Sequence, residues 1–256
     1  MTTQRRGGNW KWRDPMIKLT SLKKNYGSFT AVKEINLEIG RGEVFGFLGP
    51  NGAGKTSTIK MMCGLTSITS GNAEIDGISI LKDPVAYKKQ FALIPDKPYM
   101  FEKLRGIEYV EFIGNLYGIE KADFKERLAK YAPRFGVDEY INDFIESYSH
   151  GMSQKLLIVA SLIHSPKVFI LDEPMVGLDP RSMKVLRDEF KKLSKEGMTI
   201  FMSTHSLDTA EEVCSTVGII DHGNILESGN LKKIKQDRKN KKLEDLFFEL
   251  TEPVEK

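Results

Sequence analysis

The segment Gly49-Pro50-Asn51-Gly52-Ala53-Gly54-Lys55-Thr56 limits what this chain can fold into more than any other. It fits the pattern of a glycine, four free positions and Gly-Lys-Thr. It follows the short apolar run from Glu43 to Leu48 and precedes a helical pattern from Thr56 to Cys63, which Gly64 ends. Strand, glycine-rich turn and helix in that order open an α/β nucleotide-binding unit. The glycines let successive backbone N–H groups converge on one point, and the helix N-terminus adds the positive end of its dipole. Such a loop suits phosphate oxygens. Lys55 would place a point charge on the outer phosphates, and the Thr56 hydroxyl can ligate Mg²⁺. The plainer alternative, a glycine turn with an incidental lysine, does not account for the flanking strand and helix.

A second set of residues suits the same chemistry. The apolar run Val168-Phe169-Ile170-Leu171 reads as a buried strand, and it ends in Asp172-Glu173-Pro174. Carboxylates beside a buried strand are costly unless something compensates them. Asp172 at the strand end can hold Mg²⁺, while Glu173, pointing to the other side, could polarise an attacking water. An exposed strand-end pair is the bland alternative, weakened by the phosphate loop elsewhere in the chain. Gly177-Leu178-Asp179-Pro180 reads as a turn into a helix with Asp179 as N-cap and Pro180 at its first position. Among the histidines, His205 stands out: it follows the strand pattern Thr199 to Met202 in Ser203-Thr204-His205-Ser206, where it could reach a terminal phosphate. His164 and His222 read as structural.

The rest of the chain frames these motifs. Strand patterns run from Met16 to Leu22, around Ile35 to Ile39, and from Val217 to Ile220. Between Asp96 and about Ile163 helical patterns dominate, one with Tyr109, Phe112 and Leu116 on a face, another with Phe124, Leu128, Tyr131 and Phe135, where Pro133 kinks or ends the helix. Met183, Leu186, Phe190 and Leu193 mark an amphipathic helix, and Leu243 to Leu250 a terminal one. The reading is an α/β fold with a helical block, about residues 97–163, inserted between two α/β halves. Residues 1–15 read as a tail outside the fold, and residues from about 225 onward as a C-terminal extension.

With 256 residues, 40% hydrophobic and 29% charged, the chain has apolar surface enough for a packed core. Its longest apolar run, Leu156 to Ile163, is far short of the ~20 residues a membrane-spanning helix needs. Its beginning offers no apolar stretch for a secretory signal. Cys63 and Cys214 lack metal-like spacing and read as reduced thiols. The net charge of +3 sits in residues 1–15, and seven Lys or Arg crowd 231–242. No aromatic residue interleaves them as base stacking would require, so a solvated face is favoured over contact with acidic lipid or nucleic acid.

In the order and identity of these motifs the chain, from about Met16 onward, resembles the ATP-binding subunit of ABC transporters. The resemblance implies a P-loop NTPase (RecA-like) core with an antiparallel β subdomain and the inserted helical block. Tyr26-Gly27 looks like the aromatic loop that stacks on adenine. The loop Gly49, Pro50, Asn51, Gly52, Ala53, Gly54, Lys55, Thr56 and the adjoining Ser57 would bind ATP with Mg²⁺. Tyr148-Ser149-His150-Gly151-Met152 resembles the family signature, in which Ser149 and Gly151 supply phosphate-facing contacts. Asp179 would lie in a loop lining the nucleotide site. By this resemblance Glu173, His205 and Lys55 are catalytic, and Thr56, Asp172 and Asp96 serve the metal.

Two departures stand out. The signature normally has glycine at His150 and glutamine at Met152, and the family's glutamine loop falls at Ile94-Pro95-Asp96, with Asp96 in place of glutamine. The resemblance further implies that one subunit holds an incomplete site, closed by the signature of a second subunit. It also implies an integral membrane permease as partner, a place on the cytoplasmic face of the membrane and, from the Gly-Leu-Asp-Pro turn and the Leu243–Leu250 ending, export of the multidrug or antibiotic type. No direct nucleic-acid partner is expected. A soluble ABC ATPase acting on a nucleic-acid or ribosome process, and a simple P-loop kinase, are the competing readings.

Overall fold

The structure, a computed structural model, describes residues 4–6, 9–11, 14–97, 99–238 and 241–251. A small hairpin, β1 (Gln4–Arg6) with β2 (Asn9–Lys11), occupies part of the expected tail, and residues 1–3, 7–8 and 12–13 lie outside the described residues. There follow β3 (Ile17–Tyr26), β4 (Phe29–Ile39), β5 (Val44–Leu48), α1 (Lys55–Met62), β6 (Ser70–Ile75), β7 (Ile78–Ser79), α2 (Pro84–Lys88) and β8 (Phe91–Ile94). The helical stretch holds α3 (Gly106–Leu116), α4 (Lys121–Phe135) and α5 (His150–Leu162). The chain then alternates through β9 (Val168–Asp172), α6 (Pro180–Lys195), β10 (Thr199–Thr204), α7 (Leu207–Val213) and β11 (Thr216–Asp221), and ends with β12 (Asn224–Asn230), α8 (Leu231–Asp237) and α9 (Leu243–Thr251).

Two sheets carry the fold. The six-stranded sheet has the order β12-β11-β5-β10-β9-β8, parallel except for the edge strand β12. The other is antiparallel, in the order β4-β3-β6-β7. Strands β5, β9 and β10 are buried along their whole length, as expected of central parallel strands covered on both faces. On the face toward the antiparallel sheet Phe45, Phe47 and Phe201 pack ring on ring beside Leu19, Ile39 and Ile59. On the other face Leu156, Val159, Leu186 and Phe190 of α5 and α6 cover Phe169, Leu171, Ile200 and Met202.

The expected P-loop core, antiparallel sheet and helices are all present. Several details differ from expectation. Strands β6, β7 and β8 carry no strong pattern of their own: β6 buries only Ala73 and Ile75. Strand β12 lies inside the stretch expected as an extension but completes the main sheet. Helix α3 buries Gly106, Tyr109, Val110 and Gly114, so Phe112 and Leu116, expected on the same face as Tyr109, point to solvent. Pro133 stands in the last turn of α4, which Gly136 terminates with φ 65°. Part of the basic stretch is balanced in place, since Lys235, Arg238 and Lys241 pair with Glu211, Glu227 and Glu249.

Beyond the packing of α5 on the sheet, polar and stacking contacts fasten the helical stretch to the core. Arg134 of α4 donates to the buried Glu189 of α6 at 2.6 Å. His164, just beyond α5, stacks on Tyr117 with centroids 3.9 Å apart and donates to the carbonyl of Phe91, at the start of β8 (3.4 Å). Burial pushes His164 down to about 4, with the Arg127 charge adding to the effect and the Phe91 carbonyl opposing it. Because the folded value lies below the ordinary one, His164 favours the fold fully above pH 6.5. That contribution is lost as pH falls toward 4, where the unfolded chain binds the extra proton. His164→Phe keeps the stack and removes the titration. Its urea midpoint should therefore drop less between pH 7 and pH 5 than that of the parent chain; equal drops would contradict a neutral, buried His164.

Candidate active site

The phosphate loop leaves β5 at Leu48 and enters α1 at Lys55. Its backbone requires glycine at particular points. Gly54 has φ 110°, and a Cβ there would meet the Ala31 carbonyl at 2.7 Å; a Cβ on Gly49 would drive into the carbonyl of Ile220. The loop is also held from outside, because Gly223 N–H donates to the Ala53 carbonyl (2.9 Å). Lys55 is buried, and its ammonium donates to the carbonyls of Gly49 (2.6 Å) and Pro50 (3.1 Å). Burial lowers its pKa, and the carboxylates of Glu173 and Asp172 pull it back up.

Opposite the loop stands the end of β9. Asp172 is buried, and desolvation raises its pKa; a hydrogen bond from Ser203 counters this, the charges of Glu173 and Asp96 add to it, and a hydrogen bond with Thr56 opposes it. Strand register explains the company. Ser203 of β10 lies beside Asp172, and Ile94 of β8 beside Leu171, so Asp96 emerges next to the acidic pair. Glu173 has φ 50°, a conformation that costs a non-glycine residue on the order of 1–2 kcal/mol. Its N–H meets the carbonyl (3.2 Å) and hydroxyl (3.1 Å) of Ser203, and its carboxylate accepts from His205 Nδ1 at 3.0 Å. Lys55, Thr56, Asp96, Asp172, Glu173 and His205 are thus brought to one place.

The remaining candidates fall into two further groups. Tyr26 sits at the tip of the β3–β4 hairpin, half exposed and paired with the exposed Phe29, with the Lys24 ammonium 4.8 Å from its ring centre. The Ala31 carbonyl packed against Gly54 ties this tip to the phosphate loop. Asn51, Gly52, Thr56 and Ser57 continue the loop surface outward. Ser149, by contrast, caps α5, its hydroxyl accepting from Met152 N–H at 3.3 Å, and a Cβ on Gly151 would contact Leu178 and Ser182. His150 donates from Nε2 to the Val176 carbonyl at 3.1 Å. The Asp179 carboxylate accepts from the N–H groups of Arg181 and Ser182, which lower its pKa together with the Ser182 hydroxyl; the expected N-cap is found. The signature residues are therefore fastened to the start of α6.

Two contributors have no role in the sequence reading: Phe29 beside Tyr26, and Ser203. For Ser203 a signal existed, a serine directly after the apolar stretch Ile200–Met202 of a buried strand. The donor set suits a hard divalent cation. The carboxylates of Asp96, Asp172 and Glu173 and the Thr56 hydroxyl gather here beside the Lys55 ammonium. Among the described residues no three His, Cys, Asp or Glu side chains form a metal cage by themselves.

Known proteins share this arrangement. The ABC transporter family profile matches residues 32–176, more than half of the chain. The linearmycin resistance ATP-binding protein LnrL of Bacillus subtilis (strain 168) is 37% identical over 214 residues, spanning 84% of this chain and 69% of the relative. A solved ATP-binding subunit of an ABC transporter superposes with a TM-score of 0.86 at 31% identity, over 93% of this chain and 100% of that one. CbiO1 from Clostridium perfringens, part of the ABC transporter complex cbiONQ, gives a TM-score of 0.79 at 27% identity, over 88% and 92%. This chain belongs to the ABC transporter family; it is an ATP-binding subunit with ATPase activity.

Removing the Lys55 ammonium should forfeit one charge-assisted contact, about 1.5–3 kcal/mol, or roughly a ten- to hundredfold loss of affinity. Lys55→Ala should show that loss in a fluorescent-ATP titration. Unchanged affinity would contradict the placement of phosphates on this loop.

Proposed function

We propose that this chain is the motor subunit of an exporter: two ATPase subunits close on ATP beneath a separate integral membrane permease, at the cytoplasmic face of the membrane. The observation that carries the reading is a division of labour within the chain. Lys55, Thr56, Asp172, Glu173 and His205 share one surface, whereas Ser149 and the exposed N-terminus of α5 are fastened to the Asp179 turn. Each surface suits one side of a nucleotide phosphate chain. A second subunit, a copy or a relative, would bring its Ser149 and Gly151 over the phosphates that the first subunit's loop holds. The nucleotide then acts as an adhesive between surfaces, stabilising the closed pair by mass action.

Phosphoryl transfer depends on positioning and charge stabilisation more than on covalent help. The Lys55 ammonium and the loop amides face the phosphate oxygens as charge shifts during transfer. Mg²⁺, for which Thr56, Asp172 and Asp96 are the ligands proposed, supplies further neutralisation of the phosphates when bound. Glu173 orients the attacking water and accepts its proton. His205 donates to Glu173 and steadies that carboxylate beside the terminal phosphate. Tyr26, with Phe29 beside it, offers a ring face to adenine. Asp179 keeps the start of α6 ordered at the closing surface.

The permease partner is supported by the outer face of the helical stretch. Tyr99, almost completely exposed, and Phe101 line a groove of about 580 Å³ with Tyr148 and Ser153; Phe112, packed edge-on against Phe101, and Leu116 are exposed on α3. Exposed apolar side chains gathered in one area mark a surface that another protein covers. No helix among the described residues is long and apolar enough to cross a membrane itself. The similarity to LnrL, a linearmycin resistance protein, supports outward transport of a small molecule.

Glu173→Gln keeps the shape of the side chain and removes the proton acceptor. Its turnover should fall at least a hundredfold, as loss of a general base does, while ATP affinity is retained and ATP produces a stable dimer in light scattering. Turnover at the parental rate would contradict the role given to Glu173.

A further inference from the structure

Ser203 occupies the penultimate position of β10, level with Asp172 of β9 on one side and Phe47 of β5 on the other. It is completely buried. A hydroxyl has one proton to donate and lone pairs to accept. The proton is committed to Asp172, whose Oδ1 lies at 2.6 Å. The oxygen accepts the Glu173 N–H at 3.1 Å, sharing it with the Ser203 carbonyl at 3.2 Å, so the hydroxyl's hydrogen bonds run in one direction, from the Glu173 amide through the Ser203 hydroxyl to the Asp172 carboxylate. Bonds aligned in this way polarise one another.

The two acids need that hydroxyl for different reasons. Glu173 has a left-handed backbone, φ 50°, which a glutamate does not keep without an external hold on its amide. If the amide turned away, its carboxylate would lose the 3.0 Å contact with His205. Asp172 receives side-chain hydrogen bonds from Ser203 and Thr56. Thr56 belongs to the phosphate loop and faces solvent, whereas Ser203 donates from the sheet interior.

We propose that Ser203 is a positioning residue for ATP hydrolysis, its one hydroxyl fixing the backbone of Glu173 and the orientation of Asp172 together. This rests on the assignment of Glu173 to hydrolysis given above. Ser203 has no exposed surface from which to meet the nucleotide, so its influence falls on the chemical step and not on the grip of the loop on ATP.

The test compares Ser203→Ala, Glu173→Gln and the double variant. For Ser203→Ala the inference expects kcat to fall at least tenfold with the KM for ATP within threefold of the parent. Fluorescent-ATP binding in EDTA should stay within twofold. In the Glu173→Gln background the same substitution should lower the residual turnover by a smaller factor than in the parent, because one of the two side chains through which Ser203 acts no longer works there. A kcat within threefold of the parent overturns the inference. So does a loss that appears in KM or in metal-free ATP binding, or a full multiplicative loss in the double variant, each of which marks a packing role. Glu173→Gln alone reads the earlier assignment: parental turnover there overturns that assignment, whereas lost turnover there beside normal turnover in Ser203→Ala overturns only the inference about Ser203.

Discussion

Two carboxylates at the end of a buried parallel strand are the constraint on which the rest of this structure depends. Asp172 is buried, and its desolvation works against its charge. An apolar core cannot hold such a group unless donors and cations are arranged around it. The sheet order meets that need. With β9 between β8 and β10, and β5 beyond β10, the strand ends deliver Asp96, Ser203 and the phosphate loop with Lys55 and Thr56 to the same edge. The loop brings positive charge and amides, and the strand end brings negative charge and hydroxyl oxygens, an arrangement suited to the nucleotide and cation proposed for this site.

The same economy explains the left-handed backbone of Glu173. A residue that follows the last ladder position would ordinarily relax, but here its amide is caught by both oxygens of Ser203 and its side chain by His205. Strain held by the surrounding structure at such a position aims a functional group where ordinary backbone would not. His150 has a comparable effect on the other surface. Where the family usually has glycine, its ring reaches the Val176 carbonyl and ties the cap of α5 to the segment between Glu173 and Asp179. The signature and the acidic strand end are thereby joined through a short stretch of chain.

Much of this was legible in the sequence, for identifiable reasons. The phosphate loop needs glycine where φ is positive and a lysine at the helix start, so its chemistry is written in residue types. The apolar runs at Val168–Leu171 and Thr199–Met202 are long enough to mark central strands, and Asp179-Pro180 marks a helix start through hydrogen bonding alone. What escaped depends on partners distant in sequence. Strand β6 is mostly polar and exists because β3 pairs with it; β8 has four residues and gains its place from β9; β12 looks like an extension until β11 pairs with it. The faces of α3 misled because Phe112 and Leu116 are apolar yet exposed, as a docking surface requires. Ser203 could be seen as a polar residue in a buried strand, but only the register with Asp172 gives it a purpose.

The central claim of the account is that neither surface completes the reaction alone. It is tested most directly by measuring ATP turnover per chain as a function of protein concentration, with ATP and Mg²⁺ saturating. If two half-sites must meet, turnover per chain rises in proportion to concentration when the protein is dilute and levels off when pairing is complete. A rate per chain that stays flat down to concentrations where light scattering finds only monomer would contradict it.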